Sequence, residues 1–118
     1  MKTLTFLARS GPYGSSKAKA LLDMVLSAAV FEQKIQYIFL DDGVYQLLAG
    51  QDPALLAAKN VSAALPALEL YGVDQVYLDL DSLQARGLST DQLLIPASTC
   101  SAGDISKMIA ESDMVFSL

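Results

Sequence analysis

The chain contains no histidine and a single cysteine, Cys100, in 118 residues. Without histidine it lacks the commonest general base and the commonest metal ligand, so histidine-based triads and zinc sites are excluded. One cysteine cannot close an intrachain disulfide. Positive charge is also scarce: 8 Lys and Arg stand against 13 Asp and Glu, for a formal net charge of −5 and a sequence pI near 4.4. Such a chain repels phosphate backbones, and no direct nucleic-acid contact is expected. No apolar run reaches the roughly 20 residues needed to cross a bilayer. The start, Met1-Lys2-Thr3-Leu4-Thr5, enters a strand-like run without a signal-peptide layout. The expected location is therefore the cytoplasm, with no membrane partner.

Apolar residues, by contrast, are abundant: 53% of the chain is hydrophobic and only 18% is charged. That surplus exceeds what a small isolated domain usually carries, and part of it is expected in contacts with another chain. The length suits one hydrophobic core closed without metals or disulfides. With no internal repeat, linker-like shift or low-complexity segment, residues 1–118 are assigned to a single domain.

Strand and helix signals alternate. Leu4-Thr5-Phe6-Leu7-Ala8 reads as a first strand, followed by a glycine- and proline-broken loop and a helix over residues 17–30. Ala20, Leu21, Met24, Val25 and Ala28 form its expected core face, with Ser15 or Ser16 as N-cap. Ile35-Gln36-Tyr37-Ile38-Phe39-Leu40 reads as the second strand, and Asp52-Pro53 opens a helix over 54–59. A further helix is expected over 62–71, with Pro66 near its first turn and Gly72 at its end. Val76-Tyr77-Leu78 gives a third strand, and a short helix over 82–86 is closed by Gly87. Leu93-Leu94-Ile95 reads as the fourth strand. Ser101 and Asp104 have the form of a capping box before a helix over 105–111, and Met114-Val115-Phe116 makes the last strand. Alternation at this pace predicts βαβ units: a flavodoxin-like three-layer α/β fold with a mainly parallel sheet of about five strands.

In such folds sites gather at the carboxyl ends of the strands. The exit Asp41-Asp42-Gly43 lies at one such end, and Asp41, Asp42, Asp79 and Asp81 together define an acidic rim that could hold a hard cation through oxygen. Solvated carboxylates are the simpler reading. A phosphoacceptor receiver needs an acidic pair after the first strand, where this chain has Ala8-Arg9-Ser10. The loop Gly11-Pro12-Tyr13-Gly14-Ser15-Ser16 matches no phosphate-binding fingerprint and reads as an ordinary strand-to-helix turn. Cys100 precedes the Ser101 cap, where a helix N-terminus favours a thiolate and hence nucleophilic or persulfide chemistry. Its neighbours Thr99 and Ser101 offer no charge to assist, and a lone cysteine more often only packs. No metal or other cofactor is expected.

The run Asp42-Gly43-Val44-Tyr45-Gln46-Leu47-Leu48-Ala49-Gly50-Gln51 resembles the TusC/DsrF branch of the DsrE-type sulfur-relay family. The likeness extends to Pro12-Tyr13-Gly14-Ser15, Leu70-Tyr71-Gly72-Val73, Ser82-Leu83-Gln84-Ala85-Arg86-Gly87-Leu88 and the short strand after Asp113, covering nearly the whole chain. It implies a flavodoxin-like subunit of a complex in which TusB-, TusC- and TusD-like chains form a heterotrimer that pairs into a hexamer. In the TusD-like chains, a cysteine near the end of the third strand takes persulfide sulfur from a TusA-like donor and hands it to a TusE/DsrC-like acceptor. The matching position here is Asp79, whose carboxylate cannot hold a sulfane sulfur.

The resemblance therefore implies a non-catalytic structural subunit, serving 2-thiolation of a tRNA wobble uridine. Two alternatives stay open: a persulfide carrier using Cys100, and a DsrEFH-type subunit of sulfur oxidation. A subunit contact is expected across Asp42, Gly43, Val44, Tyr45, Gln46, Leu47 and Leu48, with Val44, Tyr45, Leu47 and Leu48 along one side of a helical turn.

Overall fold

The computed structural model describes residues 2–11, 16–31, 33–47 and 64–118. The Pro12-Tyr13-Gly14-Ser15 loop, the helix expected over 54–59 and Leu48 lie outside these residues. Five strands, β1 (Thr3–Ala8), β2 (Lys34–Phe39), β3 (Val76–Asp79), β4 (Ser98–Cys100) and β5 (Met114–Ser117), form one sheet in the order β4-β3-β2-β1-β5. Every pairing is parallel. The chain steps outward from β1 to β4 and then returns across the sheet to place β5 beside β1. Flavodoxin itself winds in the order 2-1-3-4-5, so the layers are shared and the winding is not.

Strand periodicity distributes the core. Phe6 and Ala8 of β1, Tyr37 and Phe39 of β2, and Leu78 of β3 pack on one side with Leu21, Leu22 and Val25 of helix α1 (Lys17–Ala29). Leu7, Ile38 and Cys100 face the other way and meet Ile105 of helix α4 (Ala102–Glu111). Helices thus cover both faces, as parallel strands require. The face that α1 buries is Ala18, Leu21, Leu22 and Val25, turned from the expected one, and Ala20 and Met24 are exposed. Ser16 holds the N-cap position without a side-chain cap bond.

Between β2 and β3 the chain makes a seven-residue 3₁₀ helix, Asp41–Leu47, and a short α2 (Ala67–Leu70). Within the stretch expected as one helix over 62–71, Pro66 is the N-cap of α2, and Gly72, at φ 77°, ends it. Helix α3 (Leu80–Ala85) follows β3 without a gap and closes at Gly87, φ 65°.

One strand assignment is corrected. Leu93-Leu94-Ile95 is not the fourth strand; these residues are half-buried against the larger core, and Leu94 N donates to Leu47 O at 2.8 Å. Pro96 follows and brings no amide for a ladder, and β4 forms only at Ser98–Cys100, where Tyr77, Leu78 and Asp79 find their register partners. An edge strand with one open side tolerates the polar Ser98 and Thr99, which hydropathy alone passes over.

Gly43 sets the geometry of the β2 exit. A Cβ there would lie 1.8 Å from Ala8 O and 2.5 Å from Ala8 C, both backbone atoms that cannot rotate away. Gly43→Ala is therefore expected to lower stability by about 3 kcal/mol or more, read as a fall in the urea midpoint. A midpoint equal to that of the parent chain would show that the exit can be rebuilt around a side chain.

Candidate functional site

The carboxyl ends of β1, β2 and β3 gather a polar rim over the apolar sheet. Asp41 leaves β2 at φ 52°, a left-handed conformation that aspartate tolerates better than most residues. Its backbone N–H donates to Ser82 Oγ at 2.8 Å, and Ser82 Oγ in turn donates to Asp79 Oδ2 at 2.5 Å. One α3 serine thereby ties the end of β2 to the end of β3. Arg9, just after β1, donates through Nε to Asp41 Oδ2 at 3.0 Å. Arg86 donates to Asp42 Oδ1 through Nη2 at 3.0 Å and Nε at 3.2 Å, and through Nη1 to Ser82 O at 3.2 Å.

Asp79 differs from the other rim carboxylates. It is only 9% exposed, its Oδ1 has no hydrogen-bond partner, and no arginine reaches it. Its register partner on β4 is Cys100. The cysteine is buried, and its Sγ donates to Leu78 O at 3.4 Å. Burial first, then the negative charges of Asp79 and Asp104, push the thiol up to about 11. The capping box expected at Ser101 is formed: Ser101 Oγ accepts from Asp104 N and Asp104 Oδ2 accepts from Ser101 N, each at 3.1 Å. Those bonds hold the Asp104 carboxyl below the usual carboxylate range, so the cap brings a negative charge toward the sulfur. The helix N-terminus does not activate Cys100.

The acidic rim does not converge on a common centre. Asp41 and Asp42 are each held by an arginine, and Asp81 projects from α3 into solvent. Among the described residues there is no group of three or more His, Cys, Asp or Glu placed to hold a metal ion. No helix among them is long and apolar enough to cross a membrane.

The expected contact segment divides. Gly43, Val44, Gln46 and Leu47 are buried, with Val44 and Leu47 at 0% exposure inside the core. Their apolar spacing serves the interior of this chain. Asp42 is open at the surface and Tyr45 is half-buried. Gln46 donates through Nε2 to Ser10 O at 2.7 Å, pinning the loop after β1.

Sequence reasoning missed Ser82, Arg9 and Arg86. Ser82 stands three residues after Asp79 at a strand-to-helix junction, a spacing that could have paired the two side chains. Nothing local pairs the arginines with their aspartates. The contact between Asp79 and Cys100 was hidden by the misplaced fourth strand.

A parallel three-layer α/β chain with its polar side chains at the strand ends is the class defined by this geometry. The chain belongs to the DsrE/DsrF-like family, whose sequence profile matches residues 2–118. It is 38% identical to the intracellular sulfur oxidation protein DsrF of Allochromatium vinosum, over 99% of this chain and 96% of that one. It is 35% identical to a protein TusC homolog of Vibrio parahaemolyticus, over 99% of both chains. The crystal structure of the YchN protein from E. coli has the same fold, with a TM-score of 0.85 over 100% of both chains at 22% identity.

Ser82→Ala is expected to cost about 1–3 kcal/mol, because it strands the Asp41 amide and leaves the buried Asp79 carboxylate without its donor. Arg9→Ala removes only an exposed ion pair and is expected to change stability by less than about 1 kcal/mol. Paired denaturant melts measure the contrast, and equal losses would refute the ranking.

Proposed function

We propose that this chain is a non-carrier subunit of a sulfur-relay complex of the TusBCD or DsrEFH type. The observation that carries this reading is Asp79: a buried carboxylate, hydrogen-bonded by Ser82, stands where the family resemblance puts the carrier cysteine of the sister chains. Sulfur transfer needs a polarizable thiolate that attacks a sulfane sulfur and later departs, and a carboxylate does neither. Cys100 lies beside that position, but its burial and the suppressed ionisation of its thiol oppose a carrier role.

In this reading the chain assembles with TusB-like and TusD-like subunits into a heterotrimer that pairs to a hexamer in the cytoplasm. The complex takes sulfur from a TusA-like donor and passes it to a TusE/DsrC-like acceptor for 2-thiolation of a tRNA wobble uridine. The DsrF name of the Allochromatium vinosum relative favours a second reading, the same subunit role in sulfur oxidation. Thiouridine content of tRNA in a strain lacking the chain, set beside its growth on reduced sulfur, separates the two.

Cys100→Ser is expected to leave assembly and sulfur transfer intact. After incubation of the complex with a persulfide donor, intact-mass spectrometry should find added sulfur on the TusD-like chain and none on this one. A persulfide on Cys100, or transfer lost with assembly retained, would make this chain a carrier.

Among the described residues of the contact segment, Asp42 and Tyr45 have surface open to a partner. Because aromatic side chains dominate binding energy at interfaces, Tyr45→Ala is expected to weaken association by about 1–3 kcal/mol with the isolated chain still folded. Unchanged affinity in a calorimetric titration with the sister subunits would remove the segment from the interface.

A further inference from the structure

We propose that Asp79 acts through its neighbour, adding its charge to the effect of burial in holding Cys100 in the thiol form and so disfavouring nucleophilic chemistry at this chain's one cysteine. The two residues are register partners at the ends of β3 and β4, and adjacent strands lie about 5 Å apart. Asp79 is nine-tenths buried, so water screens its charge poorly. Among the described residues its Oδ1 has no donor, and neither arginine offsets its charge: Arg9 is bound to Asp41 and Arg86 to Asp42.

The surroundings of the sulfur offer little relief. Leu7 of β1, Ile38 of β2 and Ile105 of α4 form the apolar packing on its face of the sheet, and the Leu78 carbonyl accepts its proton. Among the described residues, Asp79 and Asp104 are the charged groups that act on it, and both disfavour a thiolate. Asp104 is exposed at the start of α4 and its carboxylate is engaged by Ser101, so its field is screened where that of Asp79 is not. Deprotonating Cys100 would leave two anions side by side, in a place where burial alone already penalises charge.

The chemical consequence is selective. Attack on a persulfide needs a thiolate at the outer sulfur; the donor's S–S bond then breaks and the donor leaves as its own thiolate. A sulfur that keeps its proton does not begin that sequence. This inference concerns the ionisation of the isolated chain and does not depend on the relay reading.

The test uses the purified chain, in which Cys100 supplies the whole thiol signal. Alkylation by iodoacetamide, a neutral reagent, is followed across alkaline pH together with thiolate absorbance, for the parent chain, Asp79→Asn, Asp79→Ser and Asp104→Asn. The parent midpoint is expected near 11. Asp79→Asn should lower it by about half a unit or more, read as at least about a threefold faster alkylation at about pH 9, with the fully ionised plateau unchanged. A variant that merely loosened the packing would raise the plateau and leave the midpoint in place. Asp104→Asn should shift the midpoint less than Asp79→Asn. The proposal is overturned by a parent midpoint in the ordinary cysteine range, by Asp79 variants with the parent midpoint, or by a larger effect of Asp104→Asn. Loss of fold in both Asp79 variants, seen by circular dichroism, would make Asp79 a structural residue and also overturn it.

Discussion

The polar rim depends on a close approach between two backbones. Leu40 N donates to Ala8 O at 3.0 Å, Gly43 N donates to Leu40 O at 2.9 Å, and the bare Cα of Gly43 then passes against the Ala8 carbonyl. Because the β2 exit is pressed onto the end of β1, the following 3₁₀ turn drives Val44 and Leu47 into the core and brings Gln46 to Ser10. The same turn points the Asp41 amide at Ser82, and through it at Asp79. A missing side chain at one position thus couples the ends of three strands. The need is steric and separate from any left-handed backbone.

Local signals were legible where local chemistry decides. The strands β1, β2 and β3 are short apolar or β-branched runs with clear stops, and the Ser101-Asp104 box is a four-residue pattern with its own hydrogen bonds. Elements settled by distant partners were not. Leu93-Leu94-Ile95 has strand composition, yet its place is a cover over the core held to Leu47, while the polar Ser98-Thr99-Cys100 takes the ladder because β3 supplies its partners. Val44 and Leu47 carry an amphipathic spacing that fits a subunit contact and a core equally well until the Gly43 turn fixes their direction. At the rim, Asp79 is legible as a strand-end carboxylate and the family resemblance gives its position meaning, whereas its pairing with Cys100 follows from register, which no single strand encodes.

Charges of similar formal value do different work here. Arg9 with Asp41 lies largely in solvent and Arg86 meets the exposed Asp42 from a half-buried position, so water screens the pairs and the net gain is small. Asp79 is buried and accepts from a neutral donor, Ser82, so changes near it reach the fold and the neighbouring sulfur together. The arginines still matter indirectly. By engaging Asp41 and Asp42 they keep positive charge at the surface and away from the sulfur.

The likeness to YchN at 22% identity carries the path of the backbone, and a shared backbone does not carry a shared reaction. At the end of β3 a side chain faces the end of β4 whatever its identity, because parallel register fixes that meeting. A thiolate there has an electron pair to give and a bond that can break again; a carboxylate has charge without sulfur's polarizability. Exchanging the thiolate for the carboxylate keeps the strand register while removing the covalent step. On the relay reading proposed above, a chain with a carboxylate there gives up the chemistry that one position would supply, and a single scaffold can then provide both the carrier and the framework that holds it.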